Sequence, residues 1–393
     1  MATPNSERTH IGIFGRSNCG KSSLLNSLSK QQAAVVSPVA GTTTDPVSKP
    51  MEINGLGACI LIDTAGYDDY GELGELRVDK TNKAMNRCDI AIVVFCQSPT
   101  DEDKLQIERL RNKNIPIIPV INKIDIVDYR SIANDIKHEF NLDAIGVCTL
   151  TGEGVDILRN ALVDSQKDKT EVTITGNLCE AGDLVMLIMP QDPQAPKGRL
   201  ILPQVQTIRE FLDKNCTIIS STVEGMENAL KALNQPPKLI ITDSQVFKAV
   251  YELKPQESLL TSFSVLMAGY KGDIKAFING AAAIDCLTPN SHVLIAEACT
   301  HAPLSEDIGR VKIPRMLRNK IGNDLKISIV AGNDFPEDLT PYDLVIHCGG
   351  CMFNRKHVLN RIEQANIQGV AITNYGIVIA YINNIINKVV YPE

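Results

Sequence analysis

Two groups of residues in this 393-residue chain have the types and spacing to do chemistry. The first lies near the end, where Glu297-Ala298-Cys299-Thr300-His301 is followed downstream by His347-Cys348-Gly349-Gly350-Cys351. Thiolate and imidazole are the ligands that zinc and iron–sulfur centres select. Cys299, Cys348 and Cys351 with either His301 or His347 would close a tetrahedral zinc site. The same three thiolates would hold an iron–sulfur cluster whose fourth iron carries a weak or exchangeable ligand. A Cys-x-x-Cys redox pair, or buried thiols beside hydrogen-bonded histidines, would use these residues without metal. Residue types and spacing leave all three open.

The second group lies at the front. Gly15-Arg16-Ser17-Asn18-Cys19-Gly20-Lys21-Ser22 fits the phosphate-binding pattern G-x-x-x-x-G-K-[ST]. Gly15 and Gly20 let backbone N–H groups wrap the phosphates, Lys21 meets the β- and γ-oxygens, and the Ser22 hydroxyl ligates Mg²⁺. Ser23 follows in the first helical turn, where amides point at an anion. Asp63 ends the apolar run Ile60-Leu61-Ile62 and is placed to hold Mg²⁺ through water, with the N–H of Gly66 offered to the γ-phosphate. Asn122-Lys123-Ile124-Asp125 ends a further apolar run. Guanine presents N1–H and N2 amine donors side by side, which the Asp125 carboxylate can accept and adenine cannot supply. Between these elements, Thr43 in Gly41-Thr42-Thr43-Thr44-Asp45 is the candidate switch hydroxyl on Mg²⁺. Four elements in this order predict a GTPase with Lys21, Thr43, Asp63 and Gly66 at the reacting phosphate.

The elements that must position these groups follow from the apolar pattern. His10 to Phe14, Ile60 to Asp63 and Ile117 to Asn122 read as apolar strands, with helical spacing over Ser22 to Leu28. After the polar link Asp164 to Thr170, strand candidates at Leu184–Met189, Thr217–Ile219 and Lys238–Thr242 alternate with helices at Val205–Asn215 and Met226–Leu233. Behind them, Asp273–Leu287 reads as helical, and His292–Ala296, Ile327–Ala331, Leu344–Ile346 and Val370–Thr373 read as strands, with helices at Met316–Ile321 and Val358–Ala365. The expected fold class is therefore α/β: a P-loop GTPase domain over 9–168, followed by two smaller α/β domains with mainly parallel sheets, over 172–262 and 263–393. Both cysteine-bearing runs end at thiols, and the carboxyl edge of a parallel sheet is where ligands collect.

Bulk composition narrows the partners. Net charge is −7, and from residue 171 onward 20 Lys/Arg face 23 Asp/Glu, so neither nucleic acid nor an anionic membrane surface is expected. No stretch approaches the ~18 apolar residues of a membrane span, and Met1 to His10 lacks a signal-peptide core. Eleven cysteines without a secretory signal suit reduced thiols in the cytoplasm. Cys19, Cys59, Cys88, Cys96 and Cys148 read as small buried hydrophobes. Arg310, Lys312, Arg315, Arg318 and Lys320 read as a solvated helix face, with steering of an acidic partner as the functional alternative.

Residues 9 to about 165 resemble the TrmE–Era–EngA branch of P-loop GTPases on these motifs. The resemblance implies that Asn18 helps bind K⁺, which takes the electrostatic role of an arginine finger. Tyr67 stands where many P-loop GTPases carry a catalytic Gln, so slow intrinsic turnover is expected. Two positions depart from the branch: Thr44 replaces an Arg, and Cys148-Thr149 stands where Ser-Ala usually backs the base. Cys148 nevertheless remains the candidate for that backing position beside Asn122, Lys123 and Asp125.

A GTPase of this branch joined to Cys-x-His…His-Cys-x-x-Cys resembles the HydF family, the maturation GTPases of [FeFe]-hydrogenase, over the whole chain. That resemblance implies a dimerisation domain in the middle and a [4Fe–4S] cluster on Cys299, Cys348 and Cys351. It also implies a transient di-iron precursor received from radical-SAM hydrogenase maturases and passed to apo-[FeFe]-hydrogenase, with a homo-oligomer as the working form. His301 and His347 are then either the exchangeable ligand or donors to sulfur or cyanide around the cluster. The competing expectation, drawn from the front half alone, is a ribosome- or tRNA-associated GTPase with a zinc-stabilised C-terminal domain.

Overall fold

The computed structural model describes residues 3–29, 47–67, 81–167, 172–190, 200–298, 307–332, 334–350 and 352–392. Among the candidates above, Thr43, Cys299, His301 and Cys351 lie outside the described residues. The chain divides into two compact units, 1–170 and 171–393.

The first unit is one sheet of β1 (Thr9–Gly15), β2 (Val47–Ile53), β3 (Gly57–Asp63), β4 (Ile90–Phe95), β5 (Ile117–Asn122) and β6 (Ile145–Val147), in the order β2-β3-β1-β4-β5-β6. All neighbours are parallel except β2 and β3. β4 is buried at every position, as a strand covered on both faces must be. One face packs on α1 (Lys21–Ser29) through Leu24, Leu25 and Leu28. The other packs on α2 (Asp101–Asn112) and α3 (Tyr129–Phe140) through Ile107, Leu110, Ile132 and Ile136. The ends of α3 are set locally: Asp128 accepts from the Ser131 N–H at 3.2 Å, and Asn141 terminates it in the left-handed region at φ 54°. Helix α4 (Val155–Asp164) completes the first face with Leu158 and Leu162.

The second unit holds two all-parallel four-stranded sheets. The middle sheet is ordered β10-β9-β7-β8, from β7 (Leu184–Ile188), β8 (Thr217–Ser221), β9 (Leu239–Thr242) and β10 (Leu259–Ser262). Its helices are α5 (Leu202–Asp213), α6 (Met226–Lys231) and α7 (Phe247–Leu253). The last sheet is ordered β12-β11-β13-β14, from β11 (His292–Glu297), β12 (Lys326–Ala331), β13 (Leu344–His347) and β14 (Ala371–Asn374).

Helix α8 (Phe263–Lys271) serves both cores: Phe263, Leu266 and Met267 face the middle sheet, while Val265 and Ala268 face the last one. A helix apolar on all sides has to be buried on all sides. The expected helix from Asp273 to Leu287 is instead α9 (Ile274–Ala281) followed by a tighter 3₁₀ turn over Ala282–Cys286. Helices α10 (Ile313–Ile321) and α11 (Arg355–Ile367) contain the expected helical stretches, extending the first towards its N-terminus and the second at both ends. Helix α12 (Tyr375–Ile382) was not expected, because Tyr-Gly-Ile-Val-Ile-Ala-Tyr-Ile is a short, almost wholly apolar run, half of it β-branched, that carries no helical period. Beyond it, Ile385 and Val389 pack into the middle domain with Met186 and Ile188, and the Val390 N–H donates to Leu260 O at 2.9 Å. Among the described residues, no helix is long and apolar enough to cross a membrane.

Candidate nucleotide site and candidate metal centre

The phosphate loop joins β1 to α1. Gly15 at φ 151° and Gly20 at φ 96° hold conformations that favour glycine. At Gly20 there is a second reason: a Cβ would lie 2.1 Å from Asn122 Nδ2. The Lys21 ammonium, with the residue buried, donates to the carbonyls of Gly15 and Arg16 at 2.9 Å each, which holds a positive charge across the loop. Asn18 is in the left-handed region at φ 61°. Ser22 Oγ donates to Asp63 Oδ2 at 2.5 Å, so the two oxygen donors expected to serve Mg²⁺ meet between α1 and the end of β3. Hard oxygen ligands of this kind fit Mg²⁺, which would supply charge neutralisation at the phosphates. Gly66 is buried just beyond, after Thr64, whose hydroxyl donates to Ile13 O at 2.7 Å.

The candidate base-recognition residues are tied to the same loop. Asn122 Nδ2 donates to Cys19 O at 3.0 Å, and Lys123 Nζ donates to Asn18 O at 2.9 Å. Thr149 N donates to Asn122 Oδ1 at 3.4 Å. The Cys148 thiol donates to Asp125 Oδ1 at 3.3 Å, in the manner a serine hydroxyl could. Cys19, Cys59, Cys88 and Cys148 are buried, as expected of small hydrophobes, and Cys96 is half-buried.

Sequence reasoning missed one network here. Asp103, at the start of α2 and buried, accepts from the Tyr67 hydroxyl and pairs with Arg16 Nε at 3.3 Å. The same carboxylate caps the helix by accepting from Thr100 N at 2.9 Å. Burial and then the Asp103 carboxylate push the Tyr67 phenol far up, so it stays a neutral donor. The sequence signal was the acidic N3 position of a capping box three residues after Thr100.

At the carboxyl edge of the last sheet, Cys348 follows β13. Its Sγ accepts from the main-chain N–H of Ala298 at 3.0 Å and of Gly350 at 3.4 Å. Ala298 and Gly350 are the residues that precede Cys299 and Cys351 in the chain. Main-chain N–H donors on sulfur favour a thiolate, the form that ligates metal. The donor chemistry at Cys348 therefore fits a metal or cluster ligand.

His347 is fully buried. Its Nδ1 lies 2.7 Å from Cys348 O, and its Nε2 lies 3.0 Å from Arg361 Nη1. Burial, then the Arg361 charge, holds its pKa down at about 3, so the ring is neutral. Arg361, on α11, is 4% exposed and donates to Gly332 O at 2.6 Å. Its guanidinium sits 4.5 Å and 4.6 Å from the ring centroids of Phe335 and Phe353. Burial lowers its pKa to about 10, opposed by Cys348, which leaves it cationic at neutral pH. Its position on the buried face of α11, beside Val358, Ile362 and Ala365, was the unused sequence signal.

Upstream, the buried Glu297 carboxylate receives Arg310 Nε at 3.0 Å and Nη2 at 2.8 Å. In the basic run, Lys312 donates to Gln245 Oε1 at 2.9 Å and Lys320 pairs with Asp285 at 3.0 Å, while Arg315 and Arg318 are exposed.

The P-loop between β1 and α1, Asp63 at the end of β3 and Asn-Lys-x-Asp starting on the last residue of β5 define a P-loop GTPase domain, here followed by two parallel α/β sheets. Comparison with known proteins agrees: a "50S ribosome-binding GTPase" model matches residues 10–123. A "Hydrogen maturase F dimerization domain" model matches residues 174–272, and a "Hydrogen maturase F tetramerization domain" model matches residues 275–392. The chain belongs to the hydrogen maturase F family, and carries that family's two oligomerisation domains.

Among curated relatives, GTPase Der of Wolinella succinogenes is 35% identical over 164 residues, covering 39% of this chain and 35% of the relative. The tRNA modification GTPase MnmE of Moorella thermoacetica is 36% identical over 158 residues, covering 39% of this chain and 34% of the relative. The chain thus spans about a third of the length of the curated relatives it matches. A solved structure of Era in complex with MgGDPNP and nucleotides 1506–1542 of 16S ribosomal RNA is 24% identical, with a TM-score of 0.39, covering 42% of this chain and 58% of that one.

Proposed function

We propose that this chain is a GTP-hydrolysing scaffold of [FeFe]-hydrogenase maturation. In this reading Cys299, Cys348 and Cys351 hold a [4Fe–4S] cluster, and the site receives a di-iron precursor from radical-SAM maturases and delivers it to apo-hydrogenase. The observation that carries it is the seating of Cys348 Sγ against the main-chain N–H groups of Ala298 and Gly350, next in sequence to the other two cysteines. Three protein thiolates, when a cluster is bound, leave one iron open to exchange.

In the front domain, Lys21 and the loop amides bind and orient the phosphates, and Ser22 and Asp63, with Thr43, hold Mg²⁺. Asp125, backed by Cys148, selects guanine. Asn18 is assigned to K⁺. Tyr67 accepts no water-orienting role of the kind a Gln would play, which fits slow turnover whose function is to govern partner exchange. The working form is a homo-oligomer in the cytoplasm, built on domains over 9–168, 172–262 and 263–393. A ribosome- or tRNA-associated function draws only on likeness in the front domain, whereas the rest of the chain matches hydrogen maturase F.

The test is anaerobic reconstitution with iron and sulfide, followed by visible and EPR spectra of the wild type and Cys348→Ser. A coloured, EPR-active wild type and a bleached variant are expected. A cluster signal retained in Cys348→Ser, or a colourless protein holding one zinc, removes the reading.

A further inference from the structure

Behind Cys348 stands a buried pair that the proposed chemistry does not use. A guanidinium only donates, so with Arg361 Nη1 at 3.0 Å the Nε2 of His347 must accept. The ring proton then sits on Nδ1, where it donates to Cys348 O at 2.7 Å. Both ring nitrogens of the fully buried His347 are thereby engaged. Arg361 is itself pinned, by Gly332 O at 2.6 Å and by the rings of Phe335 and Phe353. The carbonyl of Cys348 takes a further donor, Asn374 Nδ2 at 3.2 Å.

We propose that Arg361 and His347 are a positioning pair for Cys348, in which the guanidinium fixes the imidazole as the neutral Nδ1–H tautomer and so withholds His347 from metal ligation. Turning the ring to free Nε2 would break both of its hydrogen bonds and strand a buried guanidinium N–H. Arg361 Nε already has no hydrogen-bond partner among the described residues, so one charged donor is left for an anionic group they do not supply. A cluster on thiolates is such a group, and its potential responds to charge placed beside it. In this respect the inference rests on the cluster reading; the tautomer does not.

Two measurements test it. In metal-free protein labelled with ¹⁵N-histidine, the imidazole resonances assigned to His347 are expected to report Nδ1–H in the wild type. Arg361→Met is expected to lose that tautomer. An Nε2–H ring in the wild type overturns the proposal. In anaerobically reconstituted protein, His347→Gln, whose amide can accept from Arg361 and donate to the Cys348 carbonyl, is expected to keep wild-type iron and sulfide. It is also expected to leave the ¹⁵N-histidine hyperfine spectrum of the cluster unchanged. Disappearance of a directly coupled ¹⁵N signal in His347→Gln overturns the proposal by identifying the ring as a ligand. Arg361→Lys, which keeps the charge but not the fork, should hold a potential between those of the wild type and Arg361→Met, with the latter lowest. Should Arg361→Met fail to fold, the wild-type tautomer and the His347→Gln comparison decide the question. A wild type that takes up no cluster sinks the cluster reading and leaves the tautomer result standing.

Discussion

Asn122 reaches across the front domain to donate its side-chain amide to the main-chain oxygen of Cys19, 3.0 Å away. The candidate phosphate loop and the Asn-Lys-x-Asp loop are thus one hydrogen-bonded unit. Asn122→Ala leaves a buried carbonyl without its donor and should cost about 1–3 kcal/mol. Gly20→Ala should break the same link by clash, since the new methyl would lie 2.1 Å from Asn122 Nδ2. Denaturant titration of both variants, with and without GDP, checks this; wild-type stability in either one contradicts it.

The Cys148 thiol acts on Asp125 as a weak donor. Cys148→Ser should keep GDP and GTP affinity within a few-fold, and Cys148→Ala should lose about fivefold, the equivalent of ~1 kcal/mol. Asp125→Asn should lose guanine nucleotides by on the order of 100-fold or more while gaining xanthosine triphosphate, whose 2-oxo group an amide can meet. Fluorescent-nucleotide titration gives all three constants.

Asp103 gathers three donors from separate stretches of chain, Arg16, Tyr67 and Thr100. Tyr67→Phe removes one and should cost about 1 kcal/mol, whereas Asp103→Ala takes the acceptor from all three and should cost roughly 3 kcal/mol. Equal losses in the two variants, read by urea unfolding, would sink the idea that the carboxylate is the hub.

Thiol accessibility should follow burial. Burial pushes the Cys19 thiol up to about 11 and the Cys59 thiol up to about 11, against the usual value near 9. At pH 8 only about one in a thousand of either is thiolate, and the thiolate is what alkylates. Iodoacetamide on the folded protein, followed by peptide mass spectrometry, should label exposed Cys286 well before these two. The protection should weaken as pH rises towards 11. Early labelling of Cys19 would show that its site opens readily.

The Glu297–Arg310 pair ties the end of β11 to the turn before α10. Glu297 is buried while Arg310 is only partly covered, so Glu297→Gln should cost about 2 kcal/mol rather than the larger value of a fully enclosed pair. Thermal unfolding provides the measurement, and an unchanged midpoint argues that solvent already screens the contact.

The front domain was the most legible part of the sequence. Its strands are continuous apolar runs ending in polar motifs, so both the element and its functional tip are written locally. The loop residues Gly15, Gly20, Lys21 and Ser22 sit where the pattern places them, because phosphate binding needs main-chain geometry that few sequences supply. What could not be read were partners distant in sequence. Arg361 lies fourteen positions from His347 on a different element, and nothing local to His347 shows that its ring is engaged at both ends. Asp103 hid for the opposite reason, since its capping role is ordinary and masks its contact with Tyr67. Helix α12 was missed because tertiary burial, not periodicity, makes it helical.

Val389 and Val390 end a segment that leaves the last sheet and docks on the middle one, and Pro392 lies against Gly176. Helix α8 is divided between the same two sheets. Cutting the gene between residues 272 and 275, where the two family matches part, would therefore leave each fragment with an unclosed seam. The amino-terminal piece would lack the strap that covers Met186 and Ile188, and the carboxyl-terminal piece would lack the helix under Leu294. Neither half is a ready-made module for expression or fusion.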